Sequence, residues 1–368
     1  MVKQNRFKRF RDCGRTLAMA IFCATITCAA SLLAGADTVR IEKTSYEGWN
    51  TCYRMSNGEL ELVIVADIGP RILHFGFVDG PNLLGVSEET KGKTGGDEWQ
   101  GYGGHRLWIA PEDVEVTYYP DNFPVEVKTS ENSVQLISLP EILDQKLRES
   151  LTDPEEVQKR MLDPDFRSRV AFQKIMTVSM DEDGTVSINH EIINHGTQVR
   201  EIAPWALTVM TQNGMTIVPN VPYAPHGPGH FLPVRSLILW SYTDMADPRL
   251  KFMKGYTTIK QDPNAEHPFK LGFNYTEGWV AYALEDNLFV KHLEYDPSQP
   301  YSDMGSSVEI FTNNAIMEIE SLGALKKLQP SESVRHHEKW TLHKIQPVQA
   351  DAERIEQVIE KLNFTVQK

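Results

Sequence analysis

Beyond residue 37 the chain is written in short runs of β-branched and aromatic residues, closed by Gly, Pro or Asp-Gly turns. This pattern constrains the fold more than any other feature. LELVIVADIG (Leu60–Gly69) closes at Gly-Pro, and RILHFGFV (Arg71–Val78) closes at Asp79-Gly80-Pro81. The segment from Phe172 to Gly196 predicts a hairpin, with strands from Phe172 and from Thr185 and a turn at Asp181–Gly184. Similar runs follow to EKWTLHKI near the C-terminus. More than a dozen short strands separated by tight turns predict an all-β fold, a large antiparallel sandwich. Two segments break the pattern. Residues 141–165, rich in Glu, Lys, Gln and Leu, predict a helical insertion. Residues 350–362 place Ile355, Val358, Ile359 and Leu362 on one helical face and predict a C-terminal helix packed on the sandwich.

The first 36 residues differ in kind. A basic run (Lys3, Arg6, Lys8, Arg9, Arg11, Arg15) precedes an apolar stretch from Leu17 to Leu33 that ends in Ala34-Gly35-Ala36. That order predicts a secretory signal peptide cleaved after Ala36, and so a periplasmic or secreted protein. The alternative is an uncleaved N-terminal anchor, since about 20 apolar residues span a bilayer. The expected organisation is a leader over 1–36, one sandwich domain over 37–349, and a helix and tail over 350–368. Three of the four cysteines lie in the leader, which leaves Cys52 and no internal disulfide. Residues 1–36 carry six Lys/Arg and one Asp, so the remainder carries 31 basic and 49 acidic residues, a net charge of −18. Such a charge argues against nucleic acid and anionic membranes as partners and suits neutral or cationic ligands.

No phosphate loop, H-E-x-x-H, paired C-x-x-C or G-x-S-x-G motif is present. Polar residues gather in five places. Arg71 follows Gly69-Pro70 and reads equally as a ligand donor or an interstrand ion pair. In GYGGHRLWIAPE (Gly101–Glu112), His105 and Arg106 follow a glycine turn and Trp108 lies in an apolar run. His105 there is either a general acid or a half-buried strand residue. His190 and His195 fall in a strand and its turn, and a structural role suits His195 best. The loop Asn220–Ser236 holds His226 and His230 four apart. Its prolines forbid the helix on which that spacing would bind metal, so it reads as a rim over a cleft, and no metal is expected. The fifth place is acidic: Tyr301, Asp303, Glu309, Glu318 and Glu320, of which Glu318 and Glu320 share one strand face.

Taken in order, NGELELVIVADIGPRILHFGF, NLLG, a Gly-Gly turn with a basic residue, GTVSINHEIINHGTQ, APWALTV and IMEIESLGALKKLQPSESVRHHEKWTL resemble the galactose-mutarotase-like (aldose 1-epimerase-like) superfamily, in a bacterial branch. The resemblance spans about residues 45–345 and rests on the order of its segments. It implies a β-supersandwich with a sugar-sized cleft on a concave sheet. There a glutamate takes the anomeric proton and a histidine protonates the ring oxygen. By this resemblance Glu309 matches the catalytic glutamate, with Glu318 and Glu320 as rivals, while Arg71 and His105 match the family arginine and first histidine. Arg106, Trp108, Trp205, His226, His230, Glu318 and Glu320 are the candidate substrate contacts. Trp205 stands where the family carries its second histidine, and a tryptophan stacks on sugar but donates no proton to a ring oxygen. The expected function is an exported carbohydrate-active protein, most simply an aldose mutarotase that needs no cofactor and acts on a sugar or oligosaccharide. The alternatives are a carbohydrate-binding protein without turnover, or a lyase-type polysaccharide enzyme if Arg71, Arg106, Arg235 and Lys270 gather in one cleft.

Overall fold

The structure is a computed structural model that describes residues 38–151, 153–274 and 277–362. The leader and its cleavage site lie outside the described residues. Two antiparallel sheets carry the fold. The first runs in the order β1 (Arg40–Tyr46), β2 (Trp49–Ser56), β3 (Leu60–Val65), β4 (Arg71–Phe77), β5 (His105–Ala110), β10 (Arg200–Met210), β19 (Met317–Leu322), β18 (Val308–Thr312), β15 (Phe269–Phe273) and β12 (Leu237–Leu239). A short β20 (Lys326–Leu328) pairs with β10 off this path. The second runs β13 (Leu250–Phe252), β14 (Tyr256–Lys260), β11 (Met215–Pro219), β16 (Trp279–Leu284), β17 (Asn287–Leu293), β21 (Ser333–Lys344), β9 (Val186–Asn194), β8 (Phe172–Met180), β7 (Ser133–Ile137) and β6 (Glu126–Thr129). The predicted all-β sandwich is the observed one.

The core follows from the period-2 alternation of side chains. Ile64, Ile72, Ile310 and Ile319 of the first sheet meet Val178, Ile188, Phe289 and Trp340 of the second, all fully buried. Each such side chain contributes about 1.5–3 kcal/mol through the apolar area it removes from water. The expected hairpin forms between β8 and β9, closed by the Gly184 N–H donating to Asp181 O.

The helical insertion is three short helices: α1 (Gln145–Ser150), α2 (Pro154–Arg160) and α3 (Pro164–Arg167). Asp144, Asp153 and Asp163 cap them, and proline stands first in the second and third. Proline's fixed φ suits that first position, and its missing N–H costs nothing there. Leu151, Val157 and Phe166 close a small core of their own with Ile142 and Val170. α4 (Ala352–Leu362) buries Ile355 and Val358 against Ile217, Tyr256 and Trp279, as the apolar spacing predicts.

Candidate active site

Cross-strand partners share a sheet face, so the register shows which side chains meet. On the face of the first sheet that points away from the core, one row reads Arg71, Arg106, Leu207, Glu320, Glu309, Gly272. The row on one side is Trp108, Trp205 and Leu322, and on the other Val209, Glu318, Phe311 and Lys270. Glu309 and Glu320 stand directly opposite each other, which two carboxylates tolerate poorly. Lys270 resolves the conflict: its Nζ lies 2.6 Å from Glu309 Oε2 and 3.0 Å from Glu320 Oε2. Trp205 Nε1 also donates to Glu320 Oε2, at 2.8 Å. Arg106 donates to Glu318 Oε1 at 3.0 Å.

Aromatic rings surround both ion pairs. Lys270 Nζ sits 4.8 Å from the Trp205 ring centre and 4.6 Å from that of Trp240. The Arg106 guanidinium lies 4.4 Å from Trp108 and 5.7 Å from Trp99. Trp108 packs edge-on against Trp99, Tyr118 and Trp205. A cleft of about 850 Å³ opens beside Trp99, Arg106 and Glu318. Its volume falls in the range of small-ligand sites.

The electrostatics single out Glu309. Burial raises its carboxyl, Lys270 only partly opposes this and Glu320 adds to it, so it is pushed up to about 8. Oε1 of Glu309 has no hydrogen-bond partner in the protein. Burial would strip Lys270 of its charge, but Glu320 and Glu309 outweigh it and hold the ammonium charged. Burial also raises Glu318, against the pull of Arg106.

Several expected residues lie elsewhere. His105 is in the interior, on the opposite face of β5 from Arg106 and Trp108, with 0% of its surface exposed. Its Nδ1 bonds Thr208 Oγ1 and its Nε2 bonds His190 Nε2, both at 2.9 Å. A cleft position for His105 is therefore corrected: the Gly103-Gly104 turn sets the phase of β5 so that Arg106 points out and His105 points in. Arg71 shares the outward face, but it is fully buried, bonded to Asp121 and to Gly103 O and lying beneath Tyr102. It offers no free fork to a ligand. His226 and His230 stand exposed in their loop, His226 edge-on to Phe231, and neither bonds Glu309, Glu318 or Glu320 among the described residues. Arg71, Arg106, Arg235 and Lys270 form no bare cationic cluster, because Arg71 pairs with Asp121, Arg106 with Glu318, and Lys270 with Glu309 and Glu320. Arg235 hydrogen-bonds Asn220 and Pro219 O. Trp99, Tyr118 and Trp240 complete the face without having been candidates, since lone aromatics in turn segments carry no periodic signal.

The glycine turn explains its own composition. A Cβ on Gly103 would come 2.1 Å from Gly85 O, and one on Gly104 2.2 Å from Ile72 O, with φ of +84° and +68°. Gly104→Ala is expected to cost about 1–3 kcal/mol in a urea titration; an unchanged midpoint would refute this account of the turn.

His105, His190 and Glu338 also lie close enough to hold a cation. Both nitrogens of His105, Nε2 of His190 and both oxygens of Glu338 already have partners, while the buried Nδ1 of His190 has none. Glu338 takes Lys291 Nζ at 2.9 Å and the Ser321 hydroxyl on Oε1, and Trp340 Nε1 at 3.0 Å on Oε2. Adding a divalent ion beside Lys291 would leave an uncompensated charge in a dry core. The trio fits a hydrogen-bond network around Lys291 better than a metal centre.

No family model matches the chain and no curated protein matches its sequence. Among solved structures, a galactose mutarotase-like protein from Clostridium acetobutylicum is similar over 84% of this chain and 99% of its own, with a TM-score of 0.50 and 10% identity. A galactose mutarotase-like protein from Lactobacillus casei aligns over 79% of this chain and 100% of its own, with a TM-score of 0.48 and 9% identity. A galactose mutarotase related enzyme from Lactobacillus acidophilus aligns over 80% and 98%, with a TM-score of 0.47 and 11% identity. At such identities the likeness is one of fold alone, and it is the first of the three that carries it.

Proposed function

We propose that the outward face around Glu309, Lys270 and Trp205 is a carbohydrate site, and that Glu309 moves the anomeric proton of an aldose. The observation that carries this reading is a buried carboxyl pushed to about 8, on a sheet face it shares with tryptophans and with Arg106 and Glu318, which line the cleft. A group that titrates near working pH exchanges protons readily with a sugar hydroxyl. Trp240, half-buried, supplies a flat apolar surface of the kind on which pyranose rings stack, with the buried Trp205 and Trp108 behind it in the same face. Lys270, held charged, donates a hydrogen bond to a ring or hydroxyl oxygen without giving up its proton. No histidine bonds Glu309, Glu318 or Glu320 among the described residues, so the acid partner is water or Glu318.

Trp240 sits over Gly272, the cross-strand neighbour of Glu309, so the ligand must displace it to reach the carboxyl. This covering favours a second reading, sugar binding without turnover. Calorimetric titration of aldoses and short oligosaccharides tests what the two readings share. At least one sugar is expected to bind, with affinity falling about tenfold in Trp205→Ala. A panel with no binder would sink both readings.

A further inference from the structure

A second cavity, of about 300 Å³, lies between the helical insertion and the loop after β5. Tyr119, Phe123, Leu139 and Leu151 supply much of its wall, and the surface it presents is mostly apolar. Four charged side chains also line it: Asp121, Glu141, Arg148 and Lys174. Glu141 is 2% exposed. Its Oε1 holds Lys174 Nζ at 2.8 Å, while its Oε2 has no protein partner. Asp121 is built the same way, with Oδ2 held by Arg71 and Oδ1 unpartnered. Arg148 lies over the Tyr119 ring at 5.1 Å and donates through Nη1 to Ile142 O at 3.3 Å, but its buried Nε has no partner.

These atoms define a complementary ligand. Two buried acceptors and one buried donor stand unpartnered in side chains of the cavity wall, and a ligand group that donates and accepts at once would complete them on a small shift of those side chains. Asp121 and Glu141 are each neutralised by a cation, and Arg148 pairs with no carboxylate among the described residues. The surplus positive charge disfavours an ammonium ligand, and the two free carboxylate oxygens disfavour a carboxylate one. A neutral hydroxyl satisfies both kinds of atom. The apolar wall calls for a ring, and the volume limits the ligand to a small one.

We propose that this cavity is a second ligand site, which takes a small neutral ring compound with hydroxyl groups at one end, of the phenol or catechol class. The site shares no residue with the Glu309 cluster, so it stands or falls independently of the sugar reading. The test is calorimetry and protein NMR on the full chain with 4-ethylcatechol, ethylbenzene, benzoate and phenethylamine as probes. 4-Ethylcatechol is expected to bind about tenfold more tightly than each of the other three. Leu139→Trp, which fills the cavity, is expected to weaken it by about tenfold or more, and Glu309→Gln to leave it unchanged. If Leu139→Trp fails to fold, Arg148→Met at its half-buried position carries the test, with an expected loss of about fivefold. The proposal is overturned if no probe binds, if benzoate or phenethylamine binds best, or if the folded cavity variant keeps full affinity.

Discussion

Glu338→Leu is expected to destabilise the fold by about 3–5 kcal/mol, as when one partner of a buried ion pair is removed. Glu338 is fully buried between the sheets, where burial alone would raise its carboxyl; Lys291 and the neighbouring histidines hold it well below the usual range. Its removal strands Lys291 Nζ with only the Ile319 carbonyl at 3.1 Å. It also leaves Trp340 Nε1 without its acceptor and the Ser321 hydroxyl with His336 Nε2 as its remaining partner. The double variant Glu338→Leu/Lys291→Met is expected to recover most of the loss, because the cost lies in the orphaned charge. Urea midpoints of the three proteins decide this, and a double variant no better than the single would contradict it.

The same cluster sets the acid side of the stability profile. Burial lowers His190 to about 3 and drives His105 well below its usual value. Their unfolded forms take up protons below about pH 6.5. Stability is thus present above that pH and is lost as pH falls, at up to about 1.4 kcal/mol per pH unit per histidine.

Glu309→Gln carries the second large effect. If Glu309 is the proton-transferring group, the substitution removes a general base and is expected to slow anomer exchange about 10²–10⁴-fold. The wild-type rate should climb with pH and level off above about 8, as the carboxyl ionises. The variant should show neither the rate nor the inflection. Stability moves in the opposite direction. A folded-state carboxyl raised to about 8 contributes stability below its unfolded value near 4.5, and loses it as pH rises through 8. Glu309→Gln therefore gains on wild type between those limits, which separates lost catalysis from lost folding.

How far the sequence could be read is clearest at β5. A turn at Gly103-Gly104 leading into a strand was one of the two readings open for His105, and that strand forms. Its phase was not legible, and a one-residue change of phase sends every side chain to the other face. His105 and Arg106 were both candidates, yet one faces the core and the other the cleft. Glu318 and Glu320 were placed on a common face correctly, because a period of two within one strand needs no tertiary information. Lys270 had weight only as one of four possible cleft cations and Trp240 had none, since their meaning comes from the pairing of β15 with β18 and with β12, across dozens of residues. His226 and His230 stand exposed in their loop, and neither their spacing nor their exposure settles whether that loop is a rim.

The most direct test of the central claim is NMR exchange spectroscopy of a panel of aldoses with wild type and Glu309→Gln, each across pH 6 to 9. The account predicts accelerated anomer exchange for at least one sugar, an inflection near pH 8 in the wild type, and binding without acceleration in the variant. A variant that accelerates exchange as well as wild type would contradict it.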